Sequence, residues 1–369
     1  MSEMRSTYAM ISGGGTAGHV NPAIAIANAL VRAGHSPDGV HFVGSQRGVE
    51  VRLVPEAGYS LTVLPGRGIA RRLSLSSIAA VAGLVAAIFK AAGVLVRHRP
   101  RVVVSVGGYA SVPCVIWATV MRIPIVVAEQ NAAAGLANRL AGRVAKVCCV
   151  SFEGTDLPRA VYTGNPCDPE RLAIDEDEAR RRRNVNSGQR MISVFGGSLG
   201  AASINGAVLD AIETLMQDET LIVSHVVGRR DYELMGPRIE LLVNQFERYR
   251  PSEYDDDMAS LYGASDLVLC RAGASSVAEL ALTGTPSLLV PLPHAPADHQ
   301  RANAMALVNA GAAELIEDEA LDGPGLVAAV DRLLGDEGRL AEMADNARSM
   351  ARPHAADAVA ALCEEHARS

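Results

Sequence analysis

The sequence predicts an α/β protein built from two doubly wound domains, and three observations carry that prediction. Apolar runs of strand length alternate with helical stretches along almost the whole chain, the pattern of parallel sheets covered by helices. A polar, proline-marked segment, residues 164–189, interrupts the alternation near the middle. Each half opens with the same device, a strand running into glycines and then into a helix: GGGTAGH in the first half and GGSLGA in the second. A chain of 369 residues exceeds what one hydrophobic core ordinarily serves, and 49% apolar against 20% charged residues supply material for two.

In chain order, YAMIS, GVHFVG, VVVSVGG, IPIVVAE and AKVCCVS are expected as strands of a first sheet. RMISVFGG, LIVSHVVG, DLVLCRAG and PSLLVPLP are expected in a second. The expected domains are residues 1–163 and 164–349, with the last helix, 350–369, rejoining the first. Ligands are then expected at the carboxyl ends of the strands, with the two domains facing one cleft.

The stretch ISGGGTAGHV, Ile11 to Val20, matches the dinucleotide fingerprint, with Gly13, Gly15 and Gly18 in G-x-G-x-x-G spacing. A nicotinamide dinucleotide wants an acid at the end of the second strand, but that strand ends FVGSQ and Asp38 precedes it. No Lys-Ser/Thr pair follows the glycines, so a Walker loop fails too. What remains is a nest of backbone N–H groups at a helix N-terminus, suited to an anion. His19 stands at its rim, where an imidazole either takes a proton from a hydroxyl or caps the turn. GGSLGA places Ser198 at a second such helix start.

DLVLCRAGASSVAELALTGTPSLLVPLP sets Arg271 and Glu279 at one strand end. A carboxylate there accepts both hydroxyls of a ribose, or else closes a capping box with Ser276. PHAPADHQRANA brings His299, Gln300 and Asn303 past another strand end, an amide-rich set fit for sugar hydroxyls. Asp255, Asp256 and Asp257 stand at a helix start, where acids are favoured, and read as that rather than as a metal set.

The net charge of −7 argues against nucleic acid as the main partner. Arg180 to Arg183 follow acids at helical spacing and are expected on a salt-bridged helix face. The six cysteines form no C-x-x-C pair, as expected of buried, reduced thiols in the cytoplasm. MSEMRSTYAM lacks the apolar core of a signal peptide. Between Ser77 and Val96 the uncharged core Ile78–Phe89 is too short to span a bilayer. Two readings stand for it: a core helix, or a helix resting on a membrane through Ile78, Val81, Leu84, Val85, Ile88 and Phe89. Arg67, Arg71, Arg72, Arg97 and Arg99 flank it.

Several motifs together resemble the MurG family, the peptidoglycan N-acetylglucosaminyltransferases: GGGTAGHVNPAIAIA, VGGYASVP, EQNAAAGLANR, TGNP, GGSLGAASIN, DMASLYGASDLVLCRAGASSVAEL and HQRANA. The resemblance implies a GT-B fold and transfer of N-acetylglucosamine from UDP-N-acetylglucosamine to a lipid-linked muramoyl-pentapeptide at the cytoplasmic membrane face, by inversion and with no protein-bound metal. It implies His19 as the catalytic residue, with Asn131 also facing the reacting sugars. Thr16 and Gly18 accompany them at the donor, Thr16 also bordering the acceptor side with Tyr109 and Glu129. Ser198 is implied as a diphosphate contact, Glu279 as a ribose clamp, and His299 with Gln300 as contacts to the sugar ring. Arg271 would shape the uridine pocket and Met258 lie near the base. Three positions depart from the family pattern: Ala128 replaces a histidine, Leu199 a glutamine, and Asp168 an arginine whose place Arg171 can take from the next turn. The alternatives are another GT-B enzyme acting on a UDP-sugar, such as a glycolipid glycosyltransferase or a UDP-N-acetylglucosamine 2-epimerase, and a noncatalytic UDP-sugar-binding homologue.

Overall fold

The computed structural model describes residues 7–46, 48–66, 75–197 and 200–369, without the side chains of 75–82. The chain forms two compact units, Met1–Cys167 with Arg352–Ser369, and Asp168–Ala351.

The first unit runs β1 (Ala9–Gly13), α1 (Ala17–Arg32), β2 (Val40–Ser45), α2 (Glu50–Glu56), β3 (Ser60–Leu64), α3 (Leu75–His98), β4 (Val102–Gly107), α4 (Ser111–Val120), β5 (Ile125–Glu129), α5 (Leu136–Gly142), β6 (Val147–Val150) and β7 (Ala160–Tyr162). Its seven strands are all parallel in the order β3-β2-β1-β4-β5-β6-β7. The second unit runs α6 (Glu176–Arg182), β8 (Arg190–Phe195), α7 (Ala202–Leu215), β9 (Leu221–Val226), α8 (Arg229–Gln245), β10 (Tyr249–Ser252), α9 (Met258–Gly263), β11 (Leu267–Cys270), α10 (Ala274–Thr283), β12 (Ser287–Leu289), α11 (His299–Asn309), β13 (Ala313–Leu315), α12 (Gly323–Leu334) and α13 (Glu337–Met350). Its sheet is parallel too, in the order β10-β9-β8-β11-β12-β13. Both are doubly wound sheets whose order reverses beside the first strand.

Four strands were not expected, β3, β7, β10 and β13, and they are the four sheet edges. An edge strand has one neighbour and needs no continuous apolar run: β7 exposes Ala160 and Val161, and β10 carries Arg250 and Pro251. The inner strands β4, β5 and β6 are buried along their whole length, which is why they read as runs dominated by Val, Ile and Cys, with Ser105 and Glu129 as buried polar members.

The last helix, α14 (Ala355–His366), packs into the core of the first unit. Ala356, Val359, Ala360 and Cys363 join Ala23, Ile26, Ala27 and Leu30 of α1 over the strands β1 and β4. Arg32 pairs with Asp357 at 2.6 Å and His35 with Glu364 at 3.0 Å along the rim. On the other face of the sheet, α3 buries Ala87, Ala91 and Leu95.

Helix α3 carries one buried and one exposed apolar face within segment 77–96. Ala87, Ala91 and Leu95 are core, while Val85, Phe89 and Val96 are 47%, 69% and 53% exposed. Leu84 and Ile88 lie between the two faces, and Ile78 and Val81 fall outside the described side chains. Exposed Ile116 and Val120 of the neighbouring α4 extend the apolar surface, and Trp117 Nε1 donates to the Ile88 carbonyl at 2.8 Å between the helices.

The arginine run is a salt-bridged helix face. Asp175 caps α6, Arg181 and Arg182 pair with Glu178, Arg180 reaches Asp266, and Arg183 is held by Asp255 and Ser260. Cys114, Cys148, Cys149, Cys270 and Cys363 are buried, and burial pushes the Cys114 and Cys149 thiols up to about 12.

Because α14 completes the first core, Val359→Ala is expected to cost about 1–3 kcal/mol. Amide hydrogen exchange should speed up in β1 and β4 and stay unchanged in β8; equal change in both units would contradict the assignment of α14 to the first.

Candidate active site

The order of the first sheet reverses between β1 and β4, and a crevice for ligands is expected outside their carboxyl ends. There the loops after the two strands touch through backbone. Gly14 donates its N–H to the Gly107 carbonyl at 3.3 Å. A Cβ on Gly108 would lie 2.5 Å from the Gly14 oxygen, and Gly13, Gly14, Gly107 and Gly108 all have positive φ, so both loops require glycine.

Helix α1 starts beyond this contact, with Thr16 as its N-cap residue. His19 lies three residues on, in the first turn of the helix. Its Nδ1 shares a 3.1 Å hydrogen bond with Thr16 Oγ1. The Nε2 edge lies toward Gly107, 3.4 Å from where a Cβ would stand. Thr16 is exposed, and Gly18 and His19 are half-buried.

The expected anion nest is partly filled by the protein itself. Besides the Gly14 bond, the Gly15 N–H donates to Glu50 Oε2 at 2.9 Å. Glu50 is the first residue of α2, is 2% exposed, and also accepts from the Ser45 N–H and hydroxyl at 2.7 Å each. An acid therefore does serve the end of the second strand, five residues past it, but it faces the glycine loop.

The loop after β5 is organised by Glu129. Its carboxylate, 3% exposed, accepts from the Asn131 N–H at 2.9 Å, the Gly135 N–H at 3.1 Å and Asn138 Nδ2 at 3.0 Å. Asn138 in turn accepts from Ser105 Oγ of β4 at 3.0 Å and stands over Gly107. Glu129 thus lies behind Asn131 and fixes it. Tyr109, whose phenol is raised by burial, donates to the Pro65 carbonyl at 3.0 Å. Ala128 is a core residue beside Val126 and Cys149, so the histidine missing there leaves an apolar, well-packed position.

In the second unit the loop after β8 carries Ser198 and Leu199, which lie outside the described residues. Its far end is backed by a buried polar chain. Gly200 packs against Asp231, which accepts from Asn205 Nδ2 at 3.0 Å and from Arg230 at 2.8 Å. Asn205 Oδ1 meets His225 Nε2 at 3.0 Å, and His225 Nδ1 meets the Tyr249 hydroxyl at 3.1 Å. Burial pushes the His225 imidazole down to about 3.

Arg271 is 8% exposed and is pinned by Asp318 at 2.5 Å, by Ser203, and by the carbonyls of Val290 and Pro291. It braces the ends of β11 and β12 from within. Helix α10 starts at Ala274 with Gly273 as N-cap, so Ser276 lies inside the helix and the capping-box reading of Glu279 fails. Instead the Tyr262 hydroxyl donates to Glu279 Oε2 at 2.8 Å, and burial raises the Glu279 carboxyl. Tyr262 was not found by pattern, because a tyrosine in a short helix reads as core.

His299 opens α11, its Nδ1 2.8 Å from the Pro296 carbonyl, and Gln300 accepts the Leu292 N–H at 2.9 Å. Buried Asn303 donates to the Ala272 carbonyl at 3.2 Å. The loop before them holds His294, Ala297 and Asp298 at φ of 57°, 56° and 50°, a left-handed run of non-glycines of the kind stored at ligand sites. Met258 is the first residue of α9, and Asp257 caps that helix through the Ser260 N–H. Asp168 pairs with Arg171 at 3.5 Å, which offsets its charge. No cluster of three metal-ligating side chains occurs among the described residues.

The models of the glycosyltransferase family 28 N-terminal and C-terminal domains match residues 9–149 and 191–359. The chain is 39% identical to a Salinibacter ruber protein named UDP-N-acetylglucosamine–N-acetylmuramyl-(pentapeptide) pyrophosphoryl-undecaprenol N-acetylglucosamine transferase, over 96% of each chain. A Desulforudis audaxviator protein of the same name is 36% identical over 96% of this chain and 97% of its own. Among solved structures, Acinetobacter baumannii MurG is 30% identical with a TM-score of 0.76, covering 97% of this chain and 99% of that one. The Neisseria meningitidis UDP-GlcNAc 2-epimerase shares the fold alone, with a TM-score of 0.69 at 14% identity over 97% of this chain and 100% of that one.

The buried His225 makes a pH prediction. Its folded pKa lies below the unfolded value of about 6.5, so the unfolded state binds more protons between about 6.5 and 3 and stability falls as pH falls through that window. Its share of the slope reaches about 1.4 kcal/mol per pH unit. Denaturant titrations of His225→Gln should show a flatter acid limb than the parent; an unchanged slope would contradict it.

Proposed function

The chain belongs to the MurG group of glycosyltransferase family 28, and we propose that it transfers N-acetylglucosamine from UDP-N-acetylglucosamine to the muramoyl 4-hydroxyl of undecaprenyl-diphospho-muramoyl-pentapeptide. It is a GT-B hexosyltransferase of peptidoglycan synthesis, making lipid II from lipid I. In the step proposed, the acceptor oxygen attacks the anomeric carbon, the carbon–oxygen bond to UDP breaks with inversion, and UDP leaves with the electron pair. The hydroxyl proton passes to His19.

The observation that supports this assignment is the placing of His19. Its ring is held by Thr16 in the first turn of α1, at the point where the glycine loops of β1 and β4 meet. Positioning a base in this way is worth roughly 10²–10⁴ in rate. Asn131, fixed by Glu129, serves the reacting sugars, and Tyr109 borders the acceptor. On the donor side Glu279 takes the ribose, held by Tyr262, and Met258 lies near the base. His299 and Gln300 take the sugar ring, and the start of α7 with Ser198 takes the diphosphate. Arg271 acts as a brace for that pocket. We assign no metal to the step: Asp255 is bound to Arg183, Asp257 caps α9 and Asp318 holds Arg271.

An undecaprenyl-linked acceptor stays in its bilayer, so the protein is proposed to work at the cytoplasmic membrane surface as a peripheral protein. No described helix is long and apolar enough to cross a membrane. The exposed Val85, Phe89 and Val96 of α3, with Ile116 and Val120 of α4, supply an apolar surface, and Arg97 and Arg99 are exposed at its end. Each basic residue near anionic lipid adds about 1 kcal/mol of attraction.

Two measurements test the proposal. Purified protein given UDP-N-acetylglucosamine and a lipid I analogue should release UDP only when the acceptor is present, and His19→Ala should slow release roughly 10²–10⁴-fold with the UDP dissociation constant unchanged. UDP release without acceptor would mark hydrolysis of the donor by water, and conversion of the donor to another UDP-sugar with no UDP released would mark an epimerase; either would overturn the transfer reading. Val85→Glu combined with Phe89→Glu should abolish sedimentation with anionic liposomes while the melting temperature and UDP binding hold; undiminished sedimentation would move the membrane contact elsewhere.

A further inference from the structure

We propose that Glu50 is a positioning residue for the transfer step, holding the glycine loop so that Thr16 and His19 meet the acceptor hydroxyl. The inference rests on the function proposed above and concerns how His19 is held, not whether it acts.

Three features of the site carry it. The first is the bonding: one carboxylate oxygen takes the Gly15 N–H at 2.9 Å, and the other takes the Ser45 N–H and hydroxyl at 2.7 Å each. The loop is thereby tied to the end of β2 by charge-assisted bonds, the stronger kind. The second is the packing. A Cβ on Gly14 would lie 2.6 Å from the carboxyl carbon, one on Gly44 would lie 2.5 Å from Glu50 Cγ, and one on Gly48 would overlap Oε2. Glycines from three separate places make room for this one side chain, which is 2% exposed.

The third is the path to the chemistry. Gly15 is followed by Thr16, the N-cap of α1, whose hydroxyl bonds His19 Nδ1 at 3.1 Å. From carboxylate to imidazole the route is one hydrogen bond, one peptide unit and one hydrogen bond. With Gly14 bonded to the Gly107 carbonyl, the two loop amides are held from opposite sides. Glu50 touches neither sugar in this proposal and acts only through the loop. Displacing a catalytic group by about 1 Å can cost on the order of 10²-fold in rate, so the loss of the tie is expected in kcat.

Glu50→Gln is nearly isosteric but turns an amide toward one of the donor sets. It is expected to lower kcat about 10–100-fold while leaving the UDP dissociation constant within about twofold. Gly48→Ala, which keeps the carboxylate but pushes on it, should lower kcat in the same direction. The deciding arm is the double variant: in a His19→Ala background, Glu50→Gln should cost less than about threefold further, because the group it positions is gone. Losses that multiply in the double variant, or a Glu50→Gln enzyme at parent kcat, would overturn the proposal and leave Glu50 as packing.

A second readout does not depend on turnover. In nitrogen-15 spectra of the full chain, Glu50→Gln should remove the exchange protection of the Gly15 amide and shift the His19 ring nitrogens, with unit-two signals unmoved. If the parent released no UDP, the transfer reading would fail by itself, and these spectra would still decide the tie. An unmoved His19 signal would overturn it.

Discussion

The backbone contact between the loops after β1 and β4 is the constraint on which the rest of the first unit's site depends. Gly14 reaches the Gly107 carbonyl directly, and no side chain fits between the loops. Everything placed near the crevice is placed relative to that contact: α1 springs from one loop and carries His19, and Tyr109 follows the other. Asn138 stands over Gly107 from the β5 side, so three successive strand ends converge there. A methyl group at Gly13 or Gly108 would part the strands before it disturbed any chemistry.

Loops at strand ends are poor in ladder hydrogen bonds, and this protein organises them with buried carboxylates. Glu50 collects three donors for the first glycine loop, and Glu129 collects backbone and side-chain donors for the loop of Asn131. Asp231 serves the loop of Gly200 through Asn205, while Glu279 is held by Tyr262. An acid with several N–H donors turns an irregular segment into a fixed frame without a metal or a disulfide. The buried acids at these strand ends therefore serve to hold the loops in place.

Legibility in the sequence followed burial. The inner strands are covered on both faces and showed as largely apolar runs such as VVVSVGG and AKVCCVS, so the fold class was readable from their alternation with helical stretches. Edge strands such as Tyr249–Ser252 carry polar residues and a proline, and gave no such signal. His19 was singled out because a titratable group beside glycines stands out, and Glu279 because it shares a strand end with Arg271. What those groups lean on was not found: Glu50 is five residues past its strand and Tyr262 looks like filler, since a hydrogen bond between distant segments leaves no local pattern. Ser276-x-x-Glu279 shows the opposite error, a capping pattern that the true helix start at Ala274 makes irrelevant.

The return of α14 to the first unit has a consequence for biosynthesis. The core beneath α1 needs Val359, Ala360 and Cys363, which leave the ribosome only after all of the second unit has been made. The strands β1, β4 and β5 must therefore wait, with part of their apolar cover missing, while a complete later unit is free to fold. N-terminal folding during synthesis is the ordinary order, and here the order of completion is reversed. While residues 168–351 are made, about half of the chain, the nascent first unit lacks the part of its apolar cover that Ala356, Val359, Ala360 and Cys363 supply.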